Sequence, residues 1–116
     1  MGEPSHLTRA DWARDPRHWK GRFEGRDHGT GVTVLFFSSE EVGDGPVLHK
    51  HPYDEVFILR MGRALFNVGE AEFEAKAGDI VIAPAETPHR FEVLGPGRLE
   101  TTDIHLSDHL IQTDLA

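Results

Sequence analysis

The chain has 116 residues, no cysteine and a formal charge of −8, from twelve basic and twenty acidic side chains. That length supports one hydrophobic core rather than two, and without thiols there are no disulfide frameworks, cysteine nucleophiles or thiolate-held metals. The acidic excess would repel a phosphate backbone, so nucleic acid is not an expected partner.

Taken in chain order, residues 1–21 read as an N-terminal arm. Met1-Gly2-Glu3-Pro4-Ser5-His6 lacks a basic-then-apolar leader pattern, and no apolar run reaches membrane-spanning length; the expected setting is cytoplasmic, with no membrane partner. Thr8 to Ala13 is expected to form one helical turn capped by Thr8. Trp12 and Trp19 follow no clean period. Two large apolar rings left in water would be costly, so the arm is expected to pack on the body of the protein or on a second subunit.

From Arg22 the pattern changes to short β-rich runs separated by glycine-bearing turns, which marks an all-β sandwich or barrel over residues 22–106. The expected strands are Arg22–Gly25, Val32–Ser38, Val47–Lys50, Val56–Met61, Ala64–Val68, Ala71–Ala75, Asp79–Ala83, Arg90–Val93 and Leu99–Leu106. Gly62-Arg63 and Gly69-Glu70 each stand between two strands with glycine first, as a type II′ hairpin requires. Residues 107–116 are expected to be a short C-terminal helix or arm.

Successive side chains on a strand point to opposite faces, so the alternation also predicts an interior. Ala64, Phe66 and Val68 share one face, as do Ala71, Phe73 and Ala75, and Phe57, Leu59 and Met61 share the parity of Glu55. His89 has the parity of Phe91 and Val93 and is expected inside. On the last strand Leu99, Thr101, Asp103 and His105 oppose Glu100, Thr102, Ile104 and Leu106, and the pattern does not say which set faces inward.

The chemistry concentrates in His49-Lys50-His51-Pro52-Tyr53-Asp54-Glu55. A spacing of two on a strand aims both imidazoles to one side, as two ligands of one ion require. Pro52 breaks the ladder, which lets the chain turn and bring Glu55 back to the same pocket. His89 can enter as a fourth ligand after the proline-bounded turn Pro84 to Pro88. Three imidazoles and a carboxylate suit one divalent transition metal, manganese, iron, nickel, copper or zinc, and not the oxygen-seeking calcium or magnesium. The alternative is a polar network in the barrel mouth that holds no metal.

These residues resemble the cupin superfamily. Gly43, five residues, His49-x-His51, three residues, Glu55, six residues and Gly62 is similar to its first motif. Gly78, five residues, Pro84, then Glu86, two residues and His89 resembles its second, with fifteen residues between Gly62 and Gly78 as in small single-domain cupins of the conserved-barrel type. Two positions depart from the pattern: Glu86 stands where glycine is usual and Val93 where asparagine is usual. The resemblance implies a double-stranded β-helix, or jelly-roll barrel, and a homodimer for which Trp12 and Trp19 would be suitable anchors.

One fold hosts many activities, so the resemblance leaves two classes open. One is a metal-dependent enzyme of dioxygenase, lyase or isomerase type acting on a small organic molecule; the other is a non-catalytic small-molecule-binding or sensor protein. For the enzyme, His105 is a candidate general acid or base, oriented by Asp103 if both point inward, and Tyr53 is a candidate gate or hydrogen-bond donor to substrate.

Overall fold

The structure is a computed structural model that describes residues 3–116; Met1 and Gly2, part of the expected arm, lie outside the described residues. Ten strands form two antiparallel five-stranded sheets. The strands are β1 (Gly21–Phe23), β2 (Thr33–Ser39), β3 (His49–Lys50), β4 (Glu55–Met61), β5 (Arg63–Val68), β6 (Ala71–Lys76), β7 (Ile80–Ala83), β8 (His89–Val93), β9 (Leu99–His105) and β10 (Thr113–Asp114). One sheet runs β1-β2-β9-β4-β7 and the other β10-β3-β8-β5-β6. This is the double-stranded β-helix expected from the motifs. Among the described residues no helix is long and apolar enough to cross a membrane.

The core lies between the inner faces of the two sheets, where Phe57, Leu59, Phe66, Phe91, Val93 and Leu99 are buried together. Register across the first sheet arranges its inner face in rows. Thr33, His105, Glu55 and Ala83 make one row; Leu35, Asp103, Phe57 and Val81 make the next. Leu99, Thr101, Asp103 and His105 are therefore the inward set of β9, all buried.

Several expectations from the alternation are corrected. Gly62-Arg63 is no hairpin: β4 and β5 belong to different sheets, and Gly62 is the corner between them. A Cβ there would lie 2.3 Å from the Arg98 carbonyl oxygen, and φ is +85°, so the corner requires glycine. Gly69-Glu70 does join a paired hairpin, with Val68 opposite Ala71. Met61 does not follow Phe57 and Leu59 inward, because a bulge between Leu59 and Met61 shifts the register and leaves Met61 46% exposed. Phe73 stacks on Phe66 with centroids 6.0 Å apart, but β6 is an edge strand and the ring stays 39% exposed. Of the helix or arm expected for residues 107–116, the structure has an arm, whose strand β10 pairs with β3, setting Thr113 opposite Lys50 and Asp114 opposite His49.

The arm packs on the outer face of this chain's own sheet. Its helical turn, α1 (Arg9–Trp12), follows Thr8, whose backbone N–H donates to the Asp11 carboxylate at 2.8 Å. Trp12 stacks on Phe36 with centroids 3.7 Å apart. Trp19 meets Phe36 edge-on at 5.2 Å, donates its indole N–H to Thr102 Oγ1 at 3.3 Å and lies under the Arg60 guanidinium at 3.8 Å.

Candidate metal centre

Both sheets contribute to one cluster. Register sets His49 on β3 directly opposite His89 on β8, while Glu55 projects from β4 of the facing sheet. His51 follows β3 at the break before Pro52. One ligand atom from each of His49, His51, Glu55 and His89 lies within 4.8 Å of the others, and all four residues are buried. The four ligand candidates named from the sequence are thus brought together.

The hydrogen bonds around the cluster leave its donor atoms directed inward. His49 donates Nδ1–H to the Val47 carbonyl at 2.6 Å, His89 to the Thr87 carbonyl at 2.9 Å, and His51 to the Ile111 carbonyl at 2.7 Å. A neutral imidazole whose Nδ1 carries the proton presents a lone pair at Nε2. These backbone partners occupy Nδ1 and turn Nε2 to the cluster, where His89 Nε2 hydrogen-bonds Glu55 Oε1 at 3.0 Å; orienting a ring in this way is the role outer-shell groups have in metalloproteins. His51 Nε2 is the sharpest case. It is buried and lacks a hydrogen-bond partner, lying 3.0 Å from Glu55 Oε1 but out of line for a bond. An unsatisfied nitrogen in a buried site is costly, and a cation at the centre of the cluster would satisfy it. The residues present therefore fit a divalent metal.

Glu55 is held on both sides. Its Oε1 lies 3.0 Å from His51 Nε2 and 3.0 Å from His89 Nε2, while Oε2 lies 3.1 Å from His105 Nε2. Burial would raise its pKa, but the contacts from His105, His51 and His89 outweigh burial and hold the carboxyl well below its usual range. Burial lowers the pKa of His49 and favours its neutral, ligating form.

Tyr53 and His105 meet in the structure. Tyr53 Oη accepts the Ile111 N–H at 3.3 Å and lies 2.8 Å from His105 Nδ1. The phenol hydrogen is then free to point at Nδ1, and the Nε2–H of His105 is directed at Glu55 Oε2. Asp103 does point inward beside His105, but no hydrogen bond joins the two; the expected orienting role of Asp103 falls instead to Tyr53 and Glu55. Asp103 is 6% exposed and its Oδ1 has no partner. Burial, and then the charge of Glu55, push its pKa well above the usual carboxylate range.

A cavity of about 730 Å³ opens beside the cluster. Its lining includes His49, Glu55, Phe57, Phe91, Asp103 and His105, and extends to Trp12, Arg14 and Lys20 of the arm and to Gln112 of the C-terminal segment. Two contributors were not legible as site residues in the sequence. Ile111 acts through its backbone carbonyl, and the arm acts by position.

Residues 36–105 match the family described as Cupin domain. A protein of Methanocaldococcus jannaschii with no described function is 38% identical over 55 residues, 47% of this chain and 44% of that protein. A Klebsiella pneumoniae protein with a double-stranded β-helix domain superposes with a TM-score of 0.73 at 18% identity, over 96% of each chain. A cupin superfamily protein of Desulfitobacterium hafniense gives 0.60 at 22% identity, covering 67% of this chain and 69% of that one. A mutant form of the oxalate decarboxylase of Bacillus subtilis gives 0.73 at 21% identity, over 82% of this chain but 27% of the decarboxylase. The chain therefore spans less than half of the archaeal relative and about a quarter of the decarboxylase.

Proposed function

This chain belongs to the cupin domain family, and we propose that it is a metal-dependent enzyme acting on a small organic molecule, with His49, His51, Glu55 and His89 holding one divalent cation. One observation carries this reading. Three imidazoles spend Nδ1–H on backbone carbonyls and direct Nε2 at one point, and His51 Nε2 is left buried with no partner. A polar network built without a metal would have no reason to leave that nitrogen unsatisfied.

Manganese, iron, nickel, copper and zinc all suit the donor set; manganese has the added support that a matched structure of Bacillus subtilis oxalate decarboxylase concerns its Mn(II) centres. A cation bound here supplies charge stabilisation at a substrate oxygen or, if redox-active, access to dioxygen chemistry of the dioxygenase class. The protein's own residues do the rest. Phe57 and Phe91 give the cavity an apolar wall that limits water around the substrate. His105 holds a proton at Nε2 against Glu55 Oε2, with Tyr53 at its other nitrogen, so a proton can be given or taken at the cavity wall.

The second reading is a non-catalytic binding protein, and one observation favours it: both His105 nitrogens already have partners within the protein, as a ring that orients Glu55 would. We further propose a homodimer.

Elemental analysis of the purified protein, with His51→Ala beside it, tests the metal centre. About one transition metal per chain, lost from a variant whose circular dichroism is unchanged, is the expected result. A chain that takes up no metal after reconstitution, or a variant that keeps full occupancy, overturns the assignment. Turnover of small oxygenated substrates by the metal-loaded protein then separates enzyme from binding protein.

A further inference from the structure

The exposed part of the cavity lining is cationic, opposite to the protein as a whole. On a chain of formal charge −8, Arg14, Lys20 and Arg22 line the cavity as exposed side chains, with Asp44 the exposed acidic one among its lining. Among the described residues none of the three cations makes an ion pair within 4.0 Å, whereas Arg17, Arg26, Arg60, Arg63 and Arg98 all do. Three cations on the cavity lining are therefore not engaged by a carboxylate of the protein.

Register explains why Arg22 faces the cavity. It lies opposite Leu35, Leu35 opposite Asp103, and Asp103 opposite Phe57, and directly paired residues share a face. Since Asp103 and Phe57 point inward, so does Arg22. Glu55 lies two residues along the strand from Phe57, so three strand spacings and two residues of strand rise, roughly 16 Å between backbones, separate the cluster end of the cavity from its cationic end. Between them lie Leu35 and Phe57, and Asp103 Oδ1, buried, unpartnered and on the cavity wall.

We propose that the cavity takes an organic acid of medium length, with an oxygen group at the three-His, one-Glu cluster and a carboxylate at Arg22, supported by Arg14 and Lys20. Asp103 meets a polar group along the ligand, and the aliphatic part lies on Leu35 and Phe57. A ligand about six carbons long spans the two ends once the side chains reach inward from backbones one strand spacing apart in each step. Oxalate is too short to touch both. The N-terminal arm is then a specificity element as well as a cover for the outer face of the sheet. This rests on the metal-centre reading for one end of the ligand only; the cationic end stands on register.

Calorimetric titration of the metal-loaded protein tests it, with metal content measured in the same samples. Adipate, which carries a carboxylate at each end, is expected to bind about tenfold more tightly than hexanoate, through a charge-assisted bond at the second carboxylate. Arg22→Gln is expected to abolish that preference with metal content unchanged, and to alter oxalate binding by less than about twofold. Equal binding of adipate and hexanoate, or an adipate preference that survives Arg22→Gln in fully loaded protein, overturns the proposal. If no cation loads, the metal reading fails by itself. Hexanoate titrated into the metal-free protein then reads the cationic end alone: binding lost in Arg22→Gln supports the proposal, and binding unaffected by it, or absent from both, overturns it.

Discussion

His51 and Ile111 are sixty positions apart, yet the imidazole Nδ1–H of one donates to the backbone carbonyl of the other at 2.7 Å. The C-terminal segment thereby fixes the ring of a central candidate ligand. Strand β10 keeps the segment in place, with the Leu115 N–H donating to the Leu48 carbonyl at 2.8 Å. Deleting residues 111–116 is expected to weaken metal affinity by about 10- to 100-fold, the usual cost of losing an outer-shell partner. Competition with a chelating dye measures it. Unchanged affinity would mean that the carbonyl does not orient the ring.

Glu86 occupies the left-handed region, with φ of +65°, the one non-glycine residue among those described with positive φ. It stands where the resembling motif usually has glycine, and its N–H donates to the His51 carbonyl at 2.7 Å. An L side chain costs about 1 kcal/mol or more in this conformation. Glu86→Gly is therefore expected to raise stability by about 1 kcal/mol, less a few tenths for the freer unfolded chain. Chemical denaturation checks it, and a loss of stability would show that the Glu86 side chain makes up for its backbone.

Asp103 couples stability to pH. Its folded pKa is raised, by burial first and by Glu55 second. Below the unfolded value near 3.9 both states hold the proton and nothing is lost. As pH rises above it the unfolded chain releases the proton while the folded chain keeps it, so stability falls toward neutrality. Asp103→Asn removes this cost. In chelator-treated protein the variant is expected to match the parent in melting temperature at about pH 4 and to exceed it at about pH 7. A constant difference at both values, or a less stable variant at neutrality, would contradict the account.

Tyr53→Phe removes the hydroxyl that bridges the Ile111 N–H and His105 Nδ1. The expected loss is about 1–2 kcal/mol, with a buried nitrogen left short of a partner, and metal content is expected to hold because Tyr53 is not in the ligand cluster. Denaturation and elemental analysis on the same preparation check both halves. A large fall in metal content would instead tie the Tyr53–His105 pair to the ability of Glu55 to bind the cation.

Much was determined by the sequence alone. The absence of cysteine restricts any metal to nitrogen and oxygen donors, the spacing of two aims His49 and His51 to one side, and the period-2 runs require sheets with one apolar face. Residues such as Phe66, Phe91 and Val93 were placed inside by parity, which survives as long as a strand stays regular. Only the tertiary structure decided the rest. Parity fails at Met61 because a bulge is a feature of pairing between β4 and β9. Leu99 to His105 carries mixed residues on both faces, and its inward set became known only from the strands beside it. Gly62 serves as a corner because its neighbours join different sheets, and Ile111 reaches His51 through a carbonyl that every residue possesses. Local periodicity reports which side chains share a face; which face meets which, and whose backbone closes a site, depends on contacts between segments far apart in the chain.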